Sequence, residues 1–165
     1  MKIGLISDTH GKLPEDVFNV FKKVDLILHA GDIGNFNILK RLKELAPVYA
    51  VYGNIDNYSV ASRLPLKISF KLEEVQILMM HNIGNIRNFA WQIKRGDFHP
   101  IPDMVVFGHT HHPFYQKLGN TYFVNPGSAS FPQNGLNAST MIIKLEKGKI
   151  LKQELIKLKN YFHQT

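Results

Sequence analysis

The sequence predicts a mixed α/β fold in which two packed β-sheets carry helices on their outer faces, giving four layers. Two observations lead to this fold class. Up to Gly53, short apolar runs rich in Val and Ile, which are typical of buried strands, alternate with helical patterns. From Leu66 onward, paired apolar runs are joined by short turns, as in β-hairpins. Strand–helix–strand units imply parallel pairing and hairpins imply antiparallel pairing, so a mixed architecture follows.

The first part of the chain predicts three strands with a helix between each pair. The first helix begins near Pro14, since proline suits the first turn of a helix. The second carries an apolar residue at every third position from Phe36 to Leu45, and Pro47 ends it. The strands are predicted at Lys2–Ser7, Leu26–Gly31 and Val48–Gly53.

The second part predicts three hairpins, one helix and one further strand. The helix begins at Asn85, a good capping residue, and ends at Gly96, with Trp91 as a packing residue. The further strand is Met104–Gly108, and Lys157–Thr165 is expected to be a loose tail or a short helix with no predicted function. The hairpins pair Leu66–Leu72 with Val75–Met80, Phe114–Leu118 with Tyr122–Asn125, and Thr140–Leu145 with Ile150–Leu155.

Composition narrows the class of protein. A chain of 165 residues that is 44% hydrophobic predicts one domain over residues 1–165. The absence of cysteine excludes disulfides and thiolate ligands, so a metal would be held by nitrogen and oxygen donors. The formal net charge of +7 would attract anions such as phosphate esters. Because the lysines are spread out, a solvated surface is favoured, and a nucleic-acid partner is possible but not favoured.

No membrane association is predicted. No apolar stretch approaches the roughly 20 residues that a membrane span needs. The start of the chain is too short and too strand-like for a signal peptide. A cytoplasmic location is therefore expected, and the sequence does not predict the oligomeric state.

Polar residues that can bind a metal follow five of the predicted strands. When strands lie side by side, the residues beyond their carboxyl ends meet in one crevice. Aspartate, histidine and asparagine are suitable ligands for divalent transition ions, so the pattern predicts a dinuclear metal site. Glycines at positions 31, 53 and 108 would let the backbone approach the ions closely. The predicted ligands are Asp8, His10, Asp32, Asn54, His81, His109 and His111.

The prediction rests on the set, because each residue alone has an ordinary interpretation. A single aspartate after a strand more often caps a helix or forms a turn. His29 lies inside its predicted strand and is interpreted as a hydrogen-bonded core residue or a support for a ligand. His99 and His163 are expected at the surface, and His112 beside the site.

The chain resembles the calcineurin-like metallophosphoesterases, and among them the small single-domain phosphodiesterases of bacteria and archaea. Nearly the whole chain takes part in this resemblance, and its motifs are specific as a set. They are Ser7-Asp8-Thr9-His10, Gly31-Asp32, Gly53-Asn54-Ile55-Asp56, His81, Gly108-His109-Thr110-His111 and Asn125-Pro126-Gly127-Ser128.

The resemblance implies a four-layer αββα sandwich and two metal ions. One ion would be held by Asp8, His10, Asp32 and His111, and the other by Asp32, Asn54, His81 and His109, so Asp32 would bridge them. Manganese, nickel, iron or zinc would suit these ligands, and manganese is favoured.

The function predicted is a metal-dependent phosphodiesterase that hydrolyses small phosphate diesters with a hydroxide bridging two divalent ions. Asn54 and Asp56 are the catalytic candidates. Asn54 would bind an ion and position a phosphate oxygen, and Asp56 would orient a ligand histidine or its loop, or serve only as a turn residue. Larger relatives have a histidine at position 55, which puts monoesterase activity in doubt because this chain has Ile55. Relatives commonly have glycine where this chain has Asn82, which would alter a loop but remove no ligand.

Two alternatives stay open at the level of sequence. The resemblance includes a retromer subunit that works through protein contacts, so a non-catalytic scaffold is one of them; the complete ligand set argues against it. A nuclease is the other, although 165 residues leave little room for a DNA-binding segment.

Overall fold

A computed structural model describes residues 1–159 of the chain and contains ten strands and four helices there. The strands are β1 (Lys2–Ile6), β2 (Leu26–His29), β3 (Val48–Ala50), β4 (Lys67–Leu72), β5 (Val75–Met80), β6 (Met104–Val106), β7 (Phe114–Leu118), β8 (Thr121–Asn125), β9 (Ser139–Glu146) and β10 (Lys149–Lys157). The helices are α1 (Asp16–Phe21), α2 (Asn37–Lys43), α3 (Tyr58–Ala61) and α4 (Ile86–Arg95).

The strands form two mixed sheets of five strands each. The first has the order β10-β9-β1-β2-β3, in which β1, β2 and β3 are parallel and β9 and β10 are antiparallel additions. The second has the order β4-β5-β6-β8-β7, with a parallel centre of β5, β6 and β8 and an antiparallel strand at each edge. The predicted combination of parallel crossovers and hairpins is confirmed.

Three apolar clusters hold four layers together. The central cluster lies between the sheets and joins Leu5 and Leu28 of the first sheet to Ile77 and Val106 of the second. Helices α1 and α2 cover the outer face of the first sheet. Helix α4 covers the second sheet, where its Phe89 belongs to the third cluster. The predicted four-layer αββα sandwich is therefore confirmed.

Three details differ from the sequence predictions. Four strands end earlier than predicted, because Ser7, Gly31, Gly53 and Gly108 belong to the loops that follow them. Helix α3 was not predicted, since four residues are too few to show helical periodicity; Asn57 caps it by accepting a hydrogen bond from the Val60 amide at 3.3 Å.

The prediction of a loose tail or short helix over Lys157–Thr165 is wrong for its first residues. Lys157 is the last residue of β10, and Leu158 is buried, with its amide donating to the Ala138 carbonyl at 2.7 Å. Residues 160–165, and with them His163, lie outside the described residues. Over residues 1–159, no helix is long and apolar enough to cross a membrane. The cytoplasmic location and the single domain over 1–165 stay predictions.

Candidate metal centre

The seven predicted ligands come together at one edge of the sandwich. Each lies in a loop that follows β1, β2, β3, β5 or β6. The carboxyl ends of these strands meet at that edge because β1, β2 and β3 are parallel in one sheet and β5 and β6 are parallel in the other. The side chains form two halves, which share Asp32.

The first half contains Asp8, His10, Asp32 and His111. Each offers one ligand atom, and these atoms all lie within 4.8 Å of one another. His111 Nε2 is 3.2 Å from Asp8 Oδ1 and 3.3 Å from His10 Nε2. A cluster of two carboxylates and two imidazoles at this spacing can hold a divalent ion.

The second half contains Asn54, His81 and His109. The Asn54 amide oxygen is 3.1 Å from His81 Nε2 and 2.9 Å from His109 Nδ1. Two imidazole nitrogens and an amide oxygen therefore face one another, beside the carboxylate of Asp32.

Asp32 stands between the two halves. Its Oδ1 lies 3.2 Å from His81 Nε2 in the second half, and its Oδ2 lies 3.9 Å from His10 Nε2 in the first half. The residue is only 2% exposed. Each carboxylate oxygen thus faces a different set of ligands, an arrangement in which one carboxylate can bridge two ions.

The polar atoms of the site fit a cation. Both side-chain oxygens of Asp8 are buried and, within the described part of the chain, accept no hydrogen bond. A buried carboxylate without partners is costly, and a positive ion removes that cost. The residues present therefore fit the metal ions that the resemblance implies.

Two histidines are oriented by backbone carbonyls. His81 Nδ1 donates to the Ala30 carbonyl and His111 Nδ1 donates to the Phe131 carbonyl, each at 2.7 Å. A carbonyl can only accept, so Nδ1 carries a proton in both rings. Once any second proton has left Nε2, its lone pair faces the centre, as a metal ligand requires.

Backbone conformation marks the same residues. Five of the seven predicted ligands have a positive φ: Asp8 (54°), His10 (45°), Asp32 (53°), His109 (67°) and His111 (59°). Non-glycine residues rarely adopt this left-handed region, and strained backbone clusters at functional sites. The fold therefore maintains an unfavourable local conformation at the centre.

Two glycines let the loops approach the carboxylates. A Cβ at Gly53 would overlap Asp32 Oδ1, and one at Gly108 would overlap Ser7 Oγ and come within 2.8 Å of Asp8 Oδ2. Neither position has a positive φ, so close approach is what excludes a larger residue.

The pKa values of the ligands follow from burial and from each other. Burial acts to raise the pKa of Asp32, but hydrogen bonds from His81 and the Ile55 amide outweigh it and lower that pKa. Burial is the main cause that lowers the pKa of His10, which keeps the imidazole neutral. The Asp8 carboxylate, 3.2 Å from His111 Nε2, raises the pKa of His111, so a proton there would have to leave when an ion binds.

Asp56 holds two loops together. Its Oδ2 accepts from the Gly53 amide at 2.8 Å and the Ile33 amide at 3.2 Å, and its Oδ1 accepts from the Gly34 amide at 2.6 Å. These bonds join the loop of Asp32 to the loop of Asn54. They support the loop-orienting role predicted for Asp56, while a direct catalytic role stays a prediction.

His29 lies beneath the centre as the last residue of β2 and is fully buried. Its Nδ1 accepts from the Gly31 amide at 3.3 Å. Its Nε2 is 3.0 Å from Thr9 Oγ1, whose own hydrogen goes to the Ile33 carbonyl, so Nε2 donates to Thr9. Burial lowers the pKa of His29 to about 4. This geometry is that of a neutral, hydrogen-bonded core residue.

The sequence did not predict how the segment from Asn125 to Phe131 supports the centre. Asn125 Nδ2 donates to the Gly108 carbonyl at 2.8 Å, and Ser128 Oγ donates to the Asp8 carbonyl at 2.9 Å. The ring of Phe131 lies 5.5 Å from that of His10, centroid to centroid. The Asn-Pro-Gly-Ser motif marked this segment, but the contacts of Ser128 with Asp8 and of Phe131 with His10 cross more than 100 positions of sequence, and no spacing rule predicts them. His112 is exposed, and its Nδ1 donates to the Thr110 carbonyl at 2.6 Å.

Comparison with known proteins agrees with this geometry. The protein-family model described as the calcineurin-like phosphoesterase superfamily domain matches residues 1–148 of the chain. The chain belongs to this superfamily. The resemblance inferred from the motifs is therefore confirmed. The family implies divalent metal ions, and the cluster of Asp8, His10, Asp32 and His111 is a candidate site for one.

Individual relatives extend over most of the chain. A probable metallophosphoesterase of Methanothermobacter thermautotrophicus is 36% identical over 163 residues, covering 95% of this chain and 92% of that protein. A phosphodiesterase of Escherichia coli is 28% identical over 163 residues, covering 84% of this chain and 85% of its own. The structure of Vps29 from Entamoeba histolytica, complexed with Zn²⁺, matches with a TM-score of 0.77 at 22% identity and covers 95% of this chain and 99% of that one. This last likeness shows a shared fold.

Proposed function

We propose that this protein is a phosphodiesterase that holds two divalent metal ions, with manganese favoured. The observation that carries the proposal is the position of Asp32, which turns one carboxylate oxygen to each of two ligand sets. Membership of a phosphoesterase superfamily, with relatives named phosphodiesterases, supports the reaction class.

The ligand sets follow from the two halves. The first ion would be held by Asp8, His10, Asp32 and His111, and the second by Asp32, Asn54, His81 and His109. When bound, two such ions provide a hydroxide nucleophile at neutral pH and offset the charge that builds on phosphorus.

The protein's own groups orient the substrate. Asn54 turns its amide oxygen toward two histidines, which leaves its NH₂ group available to donate to a phosphate oxygen. Asp56 keeps the loops of Asp32 and Asn54 at a constant separation through three backbone hydrogen bonds. Ile55 helps to hold Asp32 through its amide, but its exposed side chain cannot protonate a leaving group.

The substrate proposed is a small phosphate diester. The net charge of +7 favours anionic substrates, and no proton donor stands at position 55 to assist the harder monoester reaction. A nuclease would differ only in substrate. A scaffold would need no metal, and the buried Asp8 carboxylate, whose oxygens accept no hydrogen bond within the described residues, argues against it.

A metal-reconstituted activity screen tests the proposal. Protein loaded with Mn²⁺ is assayed against cyclic nucleotides, glycerophosphodiesters, sugar-phosphate diesters and short nucleic acids. Elemental analysis of the same samples gives the metal content. We expect two ions per chain and turnover of at least one class of small diester. Fully loaded protein that hydrolyses none of them would support the scaffold, and turnover confined to nucleic acids would support the nuclease.

A further inference from the structure

A small pocket opens beside the second half of the metal centre. Asn54 and His81 form the wall that it shares with the centre, and its volume is about 130 Å³. The other walls are Tyr52, Gly53, Leu66, Met80 and Asn82. The pocket is therefore continuous with the site where a phosphate would bind, and its surface is chiefly apolar.

The walls come from three parts of the chain. Tyr52 follows β3 and its amide donates to the Pro65 carbonyl at 3.2 Å, which holds the segment before β4 against it. Leu66 follows Pro65, and Met80 is the last residue of β5. Leu66 is 56% exposed. An exposed leucine at the edge of a polar centre contributes nothing to the core, but it can cover an apolar group of a ligand.

We propose that this pocket binds a single aromatic ring carried by one ester substituent of the diester, an inference that rests on the proposed function. An apolar cavity of roughly 150 Å³ holds benzene, so a pocket of 130 Å³ suits one six-membered ring better than the two fused rings of a purine. Although Tyr52 and Asn82 also line the pocket, nearly all of its exposed surface is apolar, so it offers few hydrogen-bond partners to the hydroxyl groups of a sugar or glycerol. Desolvating those hydroxyls there would oppose binding.

A second exposed apolar surface, the ring of Phe131, lies at the opposite end of the centre and could contact a second substituent of the ligand. The ring of Phe131 is 60% exposed and lies beside His10 and His111 in the first half. A diester that spans both ions would thus place one substituent at the pocket and the other near Phe131. A monoester would leave one of these apolar surfaces uncovered.

Binding of two phosphonates to the Mn²⁺-loaded protein tests the pocket without any turnover. Phenylphosphonate and methylphosphonate carry the same charged phosphonate group, and differ in that the first has a phenyl ring where the second has a methyl group. We expect calorimetry to show phenylphosphonate binding about tenfold more tightly, because one apolar group in a hydrophobic pocket changes affinity by roughly 10- to 200-fold.

Variants at one wall locate the ring. Leu66→Asn keeps the size but makes the wall polar, and Leu66→Phe fills the pocket. Both should lower the phenyl-to-methyl affinity ratio at least about threefold without weakening methylphosphonate. Leu151→Asn is the matched control, since Leu151 is a 47% exposed leucine on β10 of the other sheet. Its ratio should equal that of the unmodified protein.

Hydrolysis of two diesters separates this inference from the proposed function. Phenyl p-nitrophenyl phosphate and methyl p-nitrophenyl phosphate both react with water to give a monoester and p-nitrophenolate. Hydrolysis of both with no phenyl preference in binding would overturn the pocket and leave the function standing. A phenyl preference that depends on Leu66, without hydrolysis of either diester, would support the pocket and contradict the function. A preference unchanged in both Leu66 variants would place the ring elsewhere and overturn the pocket.

Discussion

The two halves of the candidate centre differ in how firmly the protein holds them. In the first half, Asp8 is fully buried and His111 is 5% exposed. The His111 ring donates to the Phe131 carbonyl, and the Ser128 hydroxyl donates to the Asp8 carbonyl. In the second half, His81 is also buried and donates to the Ala30 carbonyl, but Asn54 and His109 are exposed and the apolar pocket opens beside them. More of the first half is therefore enclosed by the sandwich, whereas two ligands of the second half face solvent.

The first half also carries more negative charge than the second. Asp8 and Asp32 give the first half two carboxylates, whereas the second half shares Asp32 and otherwise offers the neutral Asn54 amide and two imidazoles. Carboxylates that are buried and lack hydrogen-bond partners gain most from a cation. We therefore expect the first half to hold its ion more tightly and the second to exchange its ion and meet the substrate.

The largest effect should come from the residue that both halves share. Asp32→Asn removes the negative charge that faces both ligand sets, so both ions should bind more weakly. Activity should fall about 10³-fold or more, since losing one electrostatic contact in an active site already costs 10²–10³-fold. Elemental analysis and diester turnover measure this. Asp97→Asn, an exposed position on the loop after α4, is the control and should change neither quantity. A variant that kept both ions would show that Asp32 does not bridge.

Single-half variants should separate the two ions by occupancy. His111→Ala should empty the first half and His81→Ala the second, so that each leaves about one ion per chain and lowers activity about 10²-fold. Metal titration followed by calorimetry should also show that the ion retained in His81→Ala is the tighter of the two. The exposed His99→Ala is the control. Equal and partial losses from both variants would contradict the assignment of ligands to halves.

This difference between halves could not be predicted from the sequence, although the ligands themselves could. Asp8, Asp32 and His81 follow apolar runs, and the carboxyl ends of parallel strands meet, so local pattern alone brings them together. The bracing of the first half depends on Ser128 and Phe131, which reach the centre only after β8 has paired with β6. Such pairing between distant strands cannot be predicted from the local sequence.

The same distinction explains the errors in the fold. The strands β1 and β5 were predictable because burial imposes an apolar run on each. The four-residue helix α3 depends on the Asn57 cap and leaves no periodic pattern. The apolar pocket joins Tyr52, Leu66 and Met80 from three separate segments, and only the folded chain shows that they are neighbours.

A substitution at Ile55, beside the second half of the centre, should change catalysis without changing the metal content. General acid catalysis contributes roughly 10²–10⁴-fold, and isoleucine cannot provide it. The protein should therefore favour diesters with good leaving groups and depend strongly on leaving-group pKa. Ile55→His should flatten that dependence and raise turnover of alkyl diesters about tenfold.

Rate against leaving-group pKa measures the effect of this change. Ile55→Gln is the control, since glutamine is polar but has no titratable proton to give, and its plot should stay steep. A flat plot for the unmodified protein would show that another residue, such as His10 or His112, supplies the proton.

The smallest effect on the centre should come from His29, which lies directly beneath it and contacts Thr9 and Gly31 but no predicted ligand through its ring hydrogen bonds. His29→Gln should keep two ions per chain and lower the free energy of unfolding by about 1–3 kcal/mol, because it disturbs buried hydrogen bonds. Loss of an ion from a folded His29→Gln protein would add His29 to the ligands.

The sign of the pH dependence follows from the pKa of His29. The folded protein lowers this pKa from 6.5 to about 4, so the unfolded chain binds a proton that the folded chain excludes. This contribution is complete above pH 6.5 and is lost as the pH falls toward 4. When the pH falls from about 7.5 to about 5, protonation of His29 in the unfolded chain should lower the free energy of unfolding by about 2 kcal/mol, and His29→Gln should not show this loss. Urea unfolding of both metal-free proteins measures it, because the remaining carboxylates and histidines titrate in both and cancel in the difference. A difference between the two proteins that does not change with pH would mean that folding leaves the pKa of His29 at its ordinary value, and the hydrogen bonds from the Gly31 amide and to Thr9 would then have to be reassigned.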